Sequence, residues 1–505
     1  MADSKREIER KYEATAETRL PDLSRVAGVS AVVHRGVGDL DAVYYDTEDL
    51  RLAGGSVTLR RRTGGSDAGW HLKFPVSSGI RDELREPLSD TLPRSLAALL
   101  RSRVRESGLV PVVRLRTARD VHHLVGAEDA LLAEVAVDTV RADRLTGGSG
   151  TAAWTEIEVE LADDGDPAFL DLVERRLRKA GIRPSAAPSK LARALAETAP
   201  ERSGSARRTG RPTAGDHVLA YVREQTEAIV ALDPAVRRGL PDSVHQMRVA
   251  TRRLRSALRT YRKILDRDAT DPVGGELKWL AAELGIDRDQ EVLDARLRAR
   301  LDDLPRTLVL GPVRGRLRIW SAARRGGSRR RTVGVLDEKR YLALLESLDA
   351  LLAAPPLLPA ASRAPDRALP RAVLKEYERL AARAGHALEL PPGHDRDLAL
   401  HDARKAAKRA RYAAEAARPA LGRPAERFAE RMKALQTLLG DHQDSVVARD
   451  ALRTLAVQAH AAGEPAFTWG LLYGREEAAA AASERELPEV WRRASRPRLR
   501  AALEG

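Results

Sequence analysis

The chain of 505 residues has no cysteine. That excludes disulfides, thiolate metal sites and a cysteine nucleophile. Aromatic residues make up only 4%, which argues against gripping single-stranded nucleic acid by base stacking. No run of about 18 apolar residues appears, so no membrane-spanning helix is expected. The opening "MADSKREIER" lacks the apolar stretch of a signal peptide. The expected location is therefore the cytoplasm.

Positive charge is abundant. Lys and Arg number 87 against 73 Asp and Glu, a net charge of +14. Such an excess points to a polyanionic partner: nucleic acid, an anionic membrane, or polyphosphate. The chain is also rich in Ala, Arg, Gly and Pro, a bias that favours arginine everywhere, so the placement of the charge must decide. The length suits two to four domains.

The segment near 197–215, "ETAPERSGSARRTGRPTAGD", has no apolar period and reads as a linker. Before it the chain is strand-rich. "EIERKYEA", "VYYDT", "SVTLRRR", "WHLKF", "DELREPL", "PVVRLRTA", "LLAEVAVDTVRA" and "WTEIEVEL" give about eight strands, which suits a closed antiparallel barrel. "TLPRSLAALLRSR" and "DPAFLDLVERRLRKAG" predict helices beside it. After the linker the apolar period becomes three and four, and the half reads all-α. Pro- and Gly-rich stretches near 305–335 and 352–370 are expected to be loops. Two motifs recur in order: "VHQMRVATRRLRSAL" then "LGIDRDQEVLDARL", and "LHDARKAAKRARYAA" then "LGDHQDSVVARDAL". Gly285 matches Gly440, and Asp289 matches Asp444. The expectation is two similar helical bundles arising by duplication.

On a strand, alternate side chains share a face. Glu7, Glu9 and Lys11 therefore align. So do Thr58, Arg60 and Arg62; His71 and Lys73; Arg81, Glu83 and Arg85; Glu134 and Asp138; and Glu156, Glu158 and Glu160. The opposite faces are largely apolar. The three glutamates crowd like charge on one edge, which is unfavourable without cations. Carboxylates sit at both ends of this half, with Arg and Lys in the middle. That arrangement suits a channel in which basic groups hold phosphate and carboxylates hold a hard divalent cation. In the helical half, His245, Arg248, Arg252, Arg255, Arg259 and Arg262 form one stripe, and His401, Arg404, Lys408 and Arg411 form its counterpart. Stripes this pure suggest an external anion; the competing account pairs them with acids such as Asp289 and Asp444. His245 and His401 as metal ligands is a weaker alternative.

The first half resembles the CYTH, or triphosphate tunnel metalloenzyme, family. "EIERK" looks like its ExExK signature. "YYDTEDLRLAGGSVTLRRRTGG", "GWHLKFP", "EIEVEL" and "PSKLARAL" match its later elements in order. The resemblance implies that Glu7 and Glu9 are metal ligands, completed by Asp138, Glu156 and Glu158 and less firmly by Glu160. It implies that Lys11, Arg60, Arg62, Lys73, Arg81, Arg119 and Lys190 contact phosphate, with Glu7, Glu9, Lys11, Glu156 and Glu158 as the catalytic set. Thr117 stands where a second basic residue beside Arg119 fits the family. The second half resembles the CHAD domain, a helical module linked to polyphosphate binding. That implies an anion site made by His245, Arg248, Arg252, Arg255, Arg259, His401, Arg404, Lys408 and Arg411.

The combined expectation is a multidomain α+β protein. Residues 3–197 form an eight-stranded antiparallel tunnel with flanking helices, 198–213 a linker, and 214–488 an all-α CHAD domain with repeats at about 214–340 and 370–488. The expected activity is Mg²⁺- or Mn²⁺-dependent hydrolysis of inorganic triphosphate or short polyphosphate, an inorganic triphosphatase whose helical half binds polyphosphate, at polyphosphate granules within the cytoplasm. The alternatives are a non-catalytic polyphosphate-binding or granule protein, and a nucleotide or thiamine triphosphate enzyme of the same tunnel family. Nucleic-acid binding is a further alternative.

Overall fold

The structure is a computed structural model and describes residues 3–65, 67–199, 211–325 and 328–504. Most of the expected linker lies outside the described residues. The chain divides into two compact units, Met1–Arg208 and Thr209–Gly505.

The first unit contains β1 (Asp3–Ala14), β2 (Ala31–Asp46), α1 (Arg51–Gly54), β3 (Thr58–Thr63), β4 (Gly69–Ser77), β5 (Ile80–Pro87), α2 (Arg94–Val104), β6 (Val110–Val125), β7 (Leu131–Arg144), β8 (Thr151–Leu161), α3 (Ala168–Lys179) and α4 (Lys190–Glu197). The strands close into a barrel in the order β1-β5-β4-β3-β2-β6-β7-β8. All pairs are antiparallel. β1 closes the ring by dividing its length: Asp3–Ile8 pairs with β5 and Glu9–Ala14 with β8.

The apolar core lies outside this barrel. Leu124, Val135, Ile157 and Val159 pack on Leu170, Val173 and Leu177 of α3. Leu115, Val140 and Trp154 pack on Leu191 and Ala194 of α4. Leu59, Leu72 and Leu84 pack on Leu96, Leu99 and Leu100 of α2. With the apolar face spent on the helices, strict alternation leaves the charged face pointing inward.

The second unit contains α5 (Ala214–Arg238), α6 (Ser243–Thr260), α7 (Arg267–Glu283), α8 (Gly285–Asp302), α9 (Val313–Arg325), α10 (Ser328–Asp337), α11 (Lys339–Ala353), α12 (Pro365–Glu389), α13 (His394–Leu421), α14 (Arg423–Ala461), α15 (Phe467–Ala494) and α16 (Pro497–Glu504). Two expectations need correction. The stretch 305–335 is mostly helical, because Val313, Leu317 and Trp320 bury one face of α9 against α14 and α15. The repeats also do not form separate bundles. Leu254 and Leu258 of α6 share one core with the alanines of α13 and with Met432 and Leu435 of α14. The alanine face of α13, Ala403, Ala406, Ala407, Ala410 and Ala414, permits close helix approach. Leu487, Ala494 and Leu503 join that core, so the compact unit continues past residue 488.

Candidate functional site

Inside the barrel is a cavity of about 640 Å³ walled by ten basic and six acidic side chains. Glu7, Glu9, Lys11, Arg60, Arg62, Lys73, Arg81, Arg119, Glu158 and Lys190 all line it. Strand register explains the grouping. Glu158 lies between Lys11 on β1 and Ala136 on β7, and Glu156 lies opposite Asp138. Arg119 lies opposite Asp138 on the other side.

One end of the wall is built around Glu158. Lys11 donates a short hydrogen bond to it, Arg119 donates at 2.6 Å, and the Lys190 ammonium lies 2.5 Å away. Arg119 also forks onto Asp138 at 2.8 and 2.7 Å. Lys190 begins α4, whose cap is Ser189, the hydroxyl accepting from the Ala192 amide. That cap aims the ammonium at Asp138 and Glu156, each 2.9 Å away. Asp138 and Glu156 do not line the cavity; they are buried behind Lys190 and Arg119. Burial opposes charge on Glu158, yet Lys11, Lys190 and Arg119 together hold its carboxyl well below the usual range. Burial likewise opposes charge on Lys190, but Asp138, Glu158 and Glu156 raise its ammonium above the ordinary value.

The other end is built around Glu7 and Glu83. Lys73 reaches Glu7 at 2.5 Å and Glu83 at 3.4 Å. Arg85 approaches Glu7 at 3.5 Å and bonds Glu83. His71 Nδ1 lies 2.8 Å from Glu83, and its Nε2 2.8 Å from the Asp67 carbonyl. Burial lifts the Glu7 carboxyl to about 7 against the pull of Lys73, with Glu83 adding to the rise. Burial and the neighbouring Arg60 and Arg119 guanidiniums lower Arg62 to about 9. Repulsion among these cations favours an entering anion.

All the carboxylate donors are oxygens, the set that suits a hard divalent cation. Asp138, Glu156 and Glu158 offer oxygens within 4.8 Å of one another. Glu7 and Glu9 stand apart from that triad, paired with Lys73 and with Lys11, the latter at 3.3 Å.

In the helical unit, the α6 and α13 stripes bring Arg248 and Arg252 beside Arg404, Lys408 and Arg411. Burial, then Arg252, Arg404, Arg411 and Arg248, push the Lys408 ammonium down to about 7. Arg248 is held by a fork onto Asp289 at 2.8 and 3.1 Å, and Arg411 pairs with Glu415 at 3.1 Å. Arg252, Arg404 and Lys408 form no ion pair with a carboxylate among the described residues. Both matched glycines make room here: a Cβ on Gly285 would stand 2.7 Å from Arg248 Nη2, and one on Gly440 3.3 Å from Arg404 Nη2. Arg255 and Arg259 lie further along α6 and repel each other. Arg262 follows the end of α6. His401 is part-buried, its Nδ1 unbonded; burial and then Lys405 and Arg404 lower its imidazole. His245 starts α6.

A CYTH domain matches residues 5–195 and a CHAD domain residues 220–453. Two curated Mycobacterium tuberculosis proteins, MT2285 and Rv2226 from different strains, are 40% identical over 488 residues, covering 93% of this chain and 92% of theirs. The chain belongs to the CYTH–CHAD family. Among solved structures, PptA from Streptomyces chartreusis is similar at 23% identity, covering 56% of this chain and 100% of that one, with a TM-score of 0.47. The CHAD domain from Ricinus communis is similar at 24% identity, covering 61% and 97%, with a TM-score of 0.40. CYTH proteins are tunnel enzymes acting on triphosphates, generally with a divalent metal.

Several CYTH-wall residues received no role from the sequence. Glu83 aligns with Arg81 by parity, but parity alone assigns it no function; it is fully buried. Lys5, two positions before Glu7, bonds Glu160 at 2.8 Å, and parity could have found it. Tyr44, whose hydroxyl accepts from Arg60 at 3.4 Å, sits in a strand that reads as apolar and carried no such signal. Among the described residues, no helix is long and apolar enough to cross a membrane.

Proposed function

We propose that the protein is a metal-dependent hydrolase of inorganic triphosphate or short polyphosphate, and that its CHAD unit binds polyphosphate. The convergence of ten basic and six acidic side chains on one cavity inside the barrel carries this reading. Arg60, Arg62, Lys73, Arg81 and Arg119, with Lys11 and Lys190, would grip phosphate oxygens. Glu9 and Glu158, which share Lys11, and Glu7 at the other end of the wall are the lumen-facing carboxylates that would be available to a cation, with Asp138 and Glu156 supporting from behind Glu158. A bound Mg²⁺ or Mn²⁺ would screen phosphate charge and polarise the attacked phosphorus. The chain's own part is positioning and fixed charge: the basic groups orient the phosphate chain and stabilise charge on the leaving oxygens. The wall offers little to a nucleobase, Tyr44 being its aromatic apart from His123, which favours an inorganic substrate.

The test is phosphate release from tripolyphosphate by the full chain under Mg²⁺ or Mn²⁺ titration, with ATP and thiamine triphosphate as competitors. The expected result is metal-dependent release that Glu7→Gln/Glu9→Gln abolishes. Turnover that survives this double change overturns the ligand assignment. Binding of tripolyphosphate with no release under either metal favours the non-catalytic alternative.

A further inference from the structure

The outer face of the barrel carries a second cluster of ligating groups that the tunnel chemistry does not use. His122 on β6 lies directly opposite His34 on β2. Asp120, two residues before His122, shares its face by strand alternation. Both imidazoles turn to the one carboxylate: His34 Nε2 lies 2.6 Å from Asp120 Oδ1, and His122 Nε2 3.4 Å from Oδ2. The ring centroids are 4.9 Å apart. One ligand atom from each residue falls within 4.8 Å of the others. The ladder shifts between His34 and Gly36, leaving Arg35 as an extra residue on the cavity side and His34 on the outside. Such a bulge re-aims side chains at one place in a sheet. Among the described residues, Asp120 forms ion pairs only with these two histidines, so no arginine competes for its oxygens in this Arg-rich chain.

We propose that His34, Asp120 and His122 form a binding site for a first-row transition cation such as Zn²⁺, separate from the hard-cation site inside the barrel. Two imidazoles and one carboxylate on one face leave the solvent side open for water. Nitrogen donors distinguish it from the carboxylate set proposed to hold the cation inside the barrel, where Mg²⁺ is the expected occupant. An ion bound here joins β2 to β6 from outside, behind the wall that holds Arg119.

The experiment titrates the full chain with Zn²⁺ by calorimetry and with Co²⁺ by electronic absorption, in the presence of excess Mg²⁺. The expected result is one equivalent that Mg²⁺ does not displace, with a Co²⁺ spectrum of nitrogen ligation. Glu7→Gln/Glu9→Gln retains it. His34→Ala/His122→Ala loses it, and Asp120→Asn, the milder change, binds about tenfold or more weakly. Circular dichroism checks folding; should the double alanine variant misfold, Asp120→Asn decides. Absence of any such equivalent in the full chain, or its survival in these variants at unchanged affinity, overturns the proposal.

Discussion

At the residue scale, two side chains make the chemistry sensitive to pH in opposite ways. Lys408 is lowered to about 7 by burial and then by the surrounding arginines. Above that value the folded chain releases a proton that the unfolded chain keeps until its ordinary lysine value, so the anion-free CHAD unit gains stability as pH rises from about 7. A bound polyphosphate reverses the preference by favouring the ammonium. Binding should therefore take up a proton, and affinity should fall as pH rises through about 7. Calorimetry in two buffers of different protonation enthalpy measures the uptake; Lys408→Arg should remove it. Glu7 is raised to about 7, so its contribution to stability is present at low pH and lost as pH rises through that value. A cation at Glu7 expels the proton, and Mn²⁺ affinity should rise with pH through the same range, a dependence absent in Glu7→Gln. Glu158 is the hub of three cations. Glu158→Gln should cost on the order of 3 kcal/mol in denaturant unfolding. It should also tighten metal-free tripolyphosphate binding while turnover falls, because the wall becomes more positive.

At the element scale, legibility followed periodicity. Strands β3, β4, β5, β7 and β8 alternate cleanly and are legible, whereas β6 (Val110–Val125) is legible only over "PVVRLRTA". The first part of β2 is not legible either: "AVVHRGVGDL" interrupts alternation with Gly36, at φ +96, and Gly38, and only "VYYDT" reads as strand. Likewise α9 hid behind flanking Pro and Gly, although its buried Val313, Leu317 and Trp320 keep helical spacing. The repeated "LG" pairs read as duplication, but their purpose appears only when Arg248 and Arg404 pack over the glycines. Gly285→Ala should displace Arg248 from Asp289 and weaken polyphosphate binding more than Gly440→Ala, whose closest contact is looser. Alanine in a helix interior also gains up to about 1 kcal/mol over glycine, so Gly440→Ala should lose affinity without losing stability. Titration of both variants with polyphosphate, beside their melting curves, checks this.

At the scale of the whole molecule, a net charge of +14 says that a polyanion is favoured but not where it binds. Polyphosphate affinity should fall steeply with salt, and removing one contacting cation, as in Arg252→Gln, should lower the log–log slope by about one. An unchanged slope would place Arg252 outside the contact. What the sequence determined alone was local: strand and helix periods, which charges share a face, the two motif pairs, and the family resemblance they carry. The tertiary structure decided what lies on the far side of each face. Alternation is symmetric, so a charged face is equally suited to water or to a lumen. Helices α2, α3 and α4 settled the matter by covering the apolar face, which left the acidic and basic side chains of eight strands to meet inside the barrel.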